Sequence, residues 1–258
     1  LGVSFGNTIA FDSPAARDAG TFNWGSTAWH ELAHTFTLGA SGMRVPRWLS
    51  EGLSVYEERR ARKGWGQGVT PAFLQAYASG RLLPASRLND GFVRPAYPQQ
   101  VIFSYYQASL VCEMIAKEYG EKALLDMLRA YREGRSTEQV FREVLRLDQP
   151  TLDRRFDEYM RERFGAVIPV IGERGAYFNL VQRGRSLLRR GDTAAAIAPL
   201  ERARVMFAEY AGGEGPMPLL VRAHLATGNR AEAASLLSPM MELGEVPERL
   251  LVLGGGYV

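Results

Sequence analysis

Cysteine and histidine are scarce in this chain: 258 residues hold one cysteine and three histidines. A single cysteine excludes an internal disulfide framework, and the apolar stretch around Cys112 marks it as a small buried hydrophobe rather than a nucleophile. Charge of one sign is also wanting. Lysine and arginine number 31 against 28 aspartates and glutamates, a surplus of +3. The two signs are mixed along the chain, so the pI of 9.1 gives little support to a nucleic-acid role, and no such partner is expected. No apolar run approaches the roughly eighteen residues that a bilayer demands, so no membrane span is expected. What is present is ordinary for a globular protein: 46% hydrophobic residues, in a length that suits one large or two smaller domains.

Against that scarcity, two of the three histidines stand four apart in His30-Glu31-Leu32-Ala33-His34. Glu51 follows in Trp48-Leu49-Ser50-Glu51-Gly52. Positions i and i+4 share one helix face, so both imidazoles reach a single metal ion. Two histidines and a glutamate are a recognised hydrolytic zinc ligand set that leaves a fourth position open to water. Glu31 can stand beside that metal without ligating it. A general base there takes a proton from water whose pKa the metal has lowered to about 7, and hands it on to a leaving amine. The third histidine, His224, lies in an apolar helical pattern without acidic or cysteine company and reads as a packing residue.

Residues 8–11, Thr8-Ile9-Ala10-Phe11, suit a short strand closed by Asp12-Ser13-Pro14. Ser26 is the expected N-cap of the motif helix, about residues 27–37, which Gly39 and Gly42 break. Pro46, in a first helical turn, opens the helix to about residue 63 that presents Glu51, folded back beside the first. Gly64-Trp65-Gly66-Gln67-Gly68 lacks a phosphate-binding spacing and any preceding strand, so it reads as a loop. Helices are expected near 71–79, 99–119 (stopped by Gly120), 121–132, 137–147 and 151–164. Residues 165–175 carry glycine, proline and branched apolar side chains with little helical pattern. They separate an expected domain at 1–168 from another at 169–258.

His30 to His34, taken with Trp48-Leu49-Ser50-Glu51-Gly52-Leu53-Ser54-Val55-Tyr56-Glu57-Glu58, resembles the gluzincin metallopeptidases. The likeness is greatest to peptidase MA-like families related to the aminopeptidase branch, with H-E-x-x-H, then W-L-x-E-G-x-x-x-Y and a glutamate soon after. Ser104-Tyr105-Tyr106-Gln107-Ala108-Ser109-Leu110-Val111 resembles their Y-x-Q-[AS] helix, so the likeness covers about residues 8–164. It implies the thermolysin-like helical half of a catalytic domain with a short β-strand edge, a mostly α (α+β) fold. It further implies zinc on His30, His34 and Glu51, and peptide-bond hydrolysis with Glu31 as base. The strand before the motif is then expected to line the cleft and pair with extended peptide substrate through main-chain hydrogen bonds. A trailing glutamate, Glu58 or its competitor Glu57, would hold a histidine ring by its other N–H. Tyr105, with Tyr106 as competitor, would donate to the developing oxyanion. One helical step turns these tyrosines about 100° apart, so only one faces the zinc. The aminopeptidase branch's G-x-M-E-N is missing, which favours an endopeptidase. The β-rich part expected before the motif is largely missing too. With Leu1 first and no signal-peptide pattern, this reads as a piece of a longer chain.

After Gly191-Asp192 and Gly228-Asn229, small-residue segments beginning at Ala194 and Ala231 occupy corresponding places. The pattern over about 176–253 resembles degenerate tetratricopeptide repeats and implies a helical-repeat domain with a protein partner. Arg183, Arg185, Arg189 and Arg190 read as a solvated helix face, and Gly254-Gly255-Gly256 as a tail. The expected function is a zinc-dependent metallopeptidase. One alternative is a tetratricopeptide-type scaffold with a structural or vestigial metal site; another is a zinc hydrolase of a non-peptide bond. Intact Glu31, a non-ligand that decay would strike freely, argues against the scaffold. An extracytoplasmic setting, periplasmic or secreted, suits a protease with one cysteine and an exposed cleft.

Overall fold

Two antiparallel strands open the chain, Gly2–Phe5 (β1) and Thr8–Phe11 (β2), in the register Gly2↔Phe11 through Phe5↔Thr8. Everything after them in this computed structural model is helix or connection, over described residues 2–5, 8–16, 23–172, 175–213 and 215–243. The fold is mostly α with a short β edge. Gly6-Asn7 and the glycines at 254–256 lie outside the described residues. Among the described residues no helix is long and apolar enough to cross a membrane.

The motif helix α1 runs Trp24–Ser41, longer at both ends than its local signals indicate. Gly39 does not break it. The stop is Gly42 at φ +59° with Met43 at φ 64°, where the chain enters left-handed backbone. Nor is Ser26 an N-cap: it lies inside the first turn, buried, and its hydroxyl is spent on another helix. Pro46 stands in extended backbone just before α2, Arg47–Ala61, rather than inside its first turn, and Thr70 caps α3, Pro71–Ala78, by accepting from Phe73 N. A short turn α4, Asp90–Val93, precedes the long α5, Gln100–Tyr119, which Gly120 ends at φ 82° before α6, Glu121–Arg132. Ser136 and Gln139 form a capping box on α7, Thr137–Val140. The expected helix over 137–147 then widens into a π-turn, Phe141–Leu145, and stops at left-handed Arg146. Further along come α8 (Gln149–Phe164), α9 (Ile168–Ile171), α10 (Ala176–Arg189), α11 (Thr193–Met206), α12 (Pro216–Ala226) and α13 (Arg230–Glu242).

The chain divides into two compact units. The first holds the hairpin, α1, α2 and α4 to α8. Its centre is α2 against α5, with Trp48, Leu49, Val55, Leu110, Val111, Met114 and Ile115 buried. The helices approach closely at Gly52, where an added Cβ would fall 2.9 Å from the carbonyl carbon and oxygen of Ala108. Glycine is required there by space, not by backbone angle. The hairpin and α6 also pack on α1.

The second unit takes in α3 as well as α9 to α13. Within it α3 packs on α9, and α10 to α13 pack consecutively as helical hairpins. Their tight turns are made by Gly191 at φ 84° and Gly228 at φ 78°.

Candidate metal centre

Helices α1 and α2 are antiparallel, and their shared face is polar within an otherwise apolar core. Thr37 Oγ1 meets Ser50 Oγ at 3.2 Å near one end, and Ser26 donates to Glu58 Oε2 at the other. Arg47, Ser50, Glu51, Ser54 and Glu58 recur at helical spacing on α2, while Trp48, Leu49, Leu53, Val55 and Tyr56 bury its other faces. Ser26, His30, His34 and Thr37 make the matching stripe on α1. Buried polar groups of this kind are costly unless each finds a partner, and here nearly every one does.

Between these stripes His30 Nε2 and His34 Nε2 each lie 3.2 Å from the same oxygen, Glu51 Oε2. Among the described residues these three form a group able to hold a metal ion, with ligand atoms within 4.8 Å of one another. Tetrahedral zinc with bonds of about 2.0–2.1 Å spaces its ligand atoms about 3.3 Å apart, so the donor types and the separations to Glu51 both fit that ion. The other ring nitrogens are already engaged. His30 Nδ1 pairs with Glu58 Oε1 at 2.7 Å, and His34 Nδ1 meets Ser50 Oγ at 2.9 Å and Ser54 Oγ at 3.3 Å. Each imidazole is thus turned with Nε2 toward Glu51.

The electrostatics follow from this crowding. Burial alone would lower the pKa of His30, but hydrogen bonds to Glu51 and Glu58 outweigh it and raise it to about 9. Burial would raise Glu51, yet the hydrogen bonds to His30 and His34 hold its carboxyl well below the usual range. Glu31 is different. It is 6% exposed, makes no ligand contact in the group, and burial pushes its carboxyl up against the opposing pull of the two imidazoles. Its carboxylate lies against β1, where an added Cβ at Gly2 would fall 2.5 Å from Glu31 Oε1.

The Peptidase MA superfamily model matches residues 8–162, more than half of the chain and all of this site. The chain belongs to the Peptidase MA superfamily. Membership makes this a metallopeptidase-like domain, and His30, His34 and Glu51 are its metal-capable group. No curated protein and no solved structure matched the chain.

Within this superfamily member, geometry separates the pairs that local pattern leaves open. Glu58, 4% exposed, holds His30, while Glu57 is half-exposed and pairs with Arg60 at 2.9 Å. Tyr105 faces the centre, its ring 6.2 Å from that of His30, and burial with the nearby Glu51 charge pushes its hydroxyl up against the opposing pull of Arg47. Tyr106 is buried elsewhere, under the Arg59 guanidinium. The strand that touches Glu31 is β1, and Phe11 of β2 is the register partner of its Gly2.

Four residues of the site carried no motif signal: Arg47, Ser50, Ser54 and the rerouted Ser26. A signal did exist for three of them, since polar residues at 47, 50, 51, 54 and 58 trace one stripe along a helix whose other positions as far as Tyr56 are apolar or glycine. Cys112 and His224 lie outside the metal group, both buried. Burial pushes the Cys112 thiol far up, which keeps it unreactive.

Proposed function

We propose that this chain is a zinc-dependent metallopeptidase that hydrolyses internal peptide bonds. The observation that carries the reading is the convergence of His30 Nε2, His34 Nε2 and Glu51 Oε2, with the outer nitrogens tied off by Glu58, Ser50 and Ser54. These three residues would hold the ion. When bound, zinc would supply Lewis acidity that polarises a carbonyl and acidifies water at the site. Glu31 is the base: it is buried beside the ligands without being one, and its raised affinity for a proton suits it to accept one from water and pass it to the leaving amine. Tyr105, on α5, is the donor to the developing oxyanion. The hairpin edge offers main-chain groups to an extended peptide.

Metal analysis and a peptide-cleavage assay on the same preparation test this. About one zinc per chain is expected, lost in His30→Ala, with cleavage abolished by a chelator and restored by zinc. Peptide turnover that persists after the metal is removed would place the chemistry elsewhere. The helical pairs α10–α11 and α12–α13 support a subsidiary reading, that the C-terminal residues 169–258 form a tetratricopeptide-like domain engaging a protein partner or substrate.

A further inference from the structure

Glu51 divides its two oxygens between different partners. Oε2 faces both imidazoles, while Oε1 accepts from Arg47 Nε at 3.2 Å, one turn back on α2. The same guanidinium lies over the ring of Phe92 on α4, 5.8 Å from its centroid. Phe92 in turn meets Tyr105 edge-on at 5.1 Å. Arg47 is therefore held between Glu51 and the Phe92 ring although its side chain is 52% exposed. An exposed i,i+4 ion pair is ordinarily worth little, and it would not by itself explain so constrained a guanidinium.

We propose that Arg47 is a positioning residue: it keeps Glu51 a one-oxygen metal ligand. The inference rests on the metal reading above. A glutamate can bind a cation through one oxygen or both. Two-oxygen binding would crowd the position that water needs in a hydrolytic site. A charge-assisted N–H···O bond to Oε1 competes directly with that mode. Arginine suits the task because its planar guanidinium donates to Glu51 while lying over the Phe92 ring, whereas a lysine ammonium is a single point charge on a flexible stem.

The test uses the full chain loaded with cobalt(II), whose visible absorption is far stronger in four-coordinate than in five- or six-coordinate sites. Zinc affinity is measured in parallel by competition with a chromophoric chelator. Arg47→Met is expected to keep its helical circular dichroism, lose visible intensity and bind zinc about 10–100-fold more weakly. Wild-type intensity and affinity in Arg47→Met would overturn the proposal. If that variant fails to fold, Arg47→Lys carries the test. An ammonium lacks the fixed planar N–H donor that holds Oε1, so affinity still falls, by a smaller factor, and an unchanged value overturns the role. A wild-type chain that takes up neither ion overturns the metal reading and this one with it, whereas wild-type uptake matched by Arg47→Met overturns the role of Arg47 alone.

Discussion

At the scale of single residues, the site separates ligands from a base by one position of helix rotation. Glu31→Gln is expected to retain about one zinc per chain and to lose about 10²–10⁴-fold in turnover, since it removes a proton acceptor and no ligand. Glu51→Ala should lose the metal. Equal metal loss in the two variants would sink that division of roles. Titration of the metal-stripped chain gives a second test. The folded pKa of His30, about 9, lies above its ordinary value of 6.5. The stabilisation it contributes is therefore complete below about pH 6.5 and is lost as pH rises through 9. That window is worth at most about 3 kcal/mol, because His30 shares the gain with Glu51. Glu51 is depressed, so its contribution is present above the ordinary carboxylate range and is lost at acid pH. Thermal unfolding of the chelated chain should fall between pH 6.5 and 9, and a flat or rising profile there would contradict the paired geometry. In the zinc-loaded chain, acid should remove activity, as protons compete with the metal for both imidazoles.

At the scale of elements, the joint between α2 and α5 decides where Tyr105 stands. Gly52→Ala sets two effects against each other. Helix propensity favours alanine by about 1 kcal/mol. Overpacking costs about 1–3 kcal/mol, and the atoms met are the Ala108 backbone, which moves only if α5 moves. We expect a net fall in Tm and a larger fall in turnover as α5 shifts away. A higher Tm would show that the helices part easily. The other joint ties three segments together: Gly66 N donates to Ser26 Oγ at 3.0 Å, Ser26 donates to Glu58, and Glu58 holds His30 at 2.7 Å. Glu58→Gln should weaken zinc about 10–100-fold without removing a ligand. Ser26→Ala should act in the same direction and more mildly, and chelator competition reads both.

At the scale of the whole molecule, α3 belongs with the C-terminal helices although it lies between α2 and α4 in sequence. Its buried Phe73 and Leu74 pack in the unit that includes α9. A chain ended at Phe164 would strip α3 of α9, whereas one ended after Gly172 keeps that contact. The shortened chain through Gly172 is expected to hold zinc as the full chain does and to lose any protein partner carried by α10 to α13. If it remains folded by circular dichroism yet loses its metal, the C-terminal helices complete the active site and the division of labour proposed above is wrong.

Residue type and spacing alone brought His30, Glu31, His34 and Glu51 to notice, because metal ligation demands few chemistries and a helix puts i and i+4 on one face whatever surrounds it. The helix over 100–119 and its stop at Gly120 were likewise legible, being local matters of periodicity and backbone angle. The limits of α1 were not. Gly39 and Ser26 look like breaker and cap in isolation, but a helix clamped along one face by α2 runs through a glycine, and a buried serine spends its hydroxyl on Glu58. Neither could pattern choose Glu58 over Glu57 or Tyr105 over Tyr106: adjacent helical residues differ only in direction, and direction acquires meaning when a second helix supplies a partner. Arg47, Ser50 and Ser54 belong to the site for the same reason. Their chemistry is written in the chain, and their partners lie on other helices, so only the tertiary structure decided what each one holds.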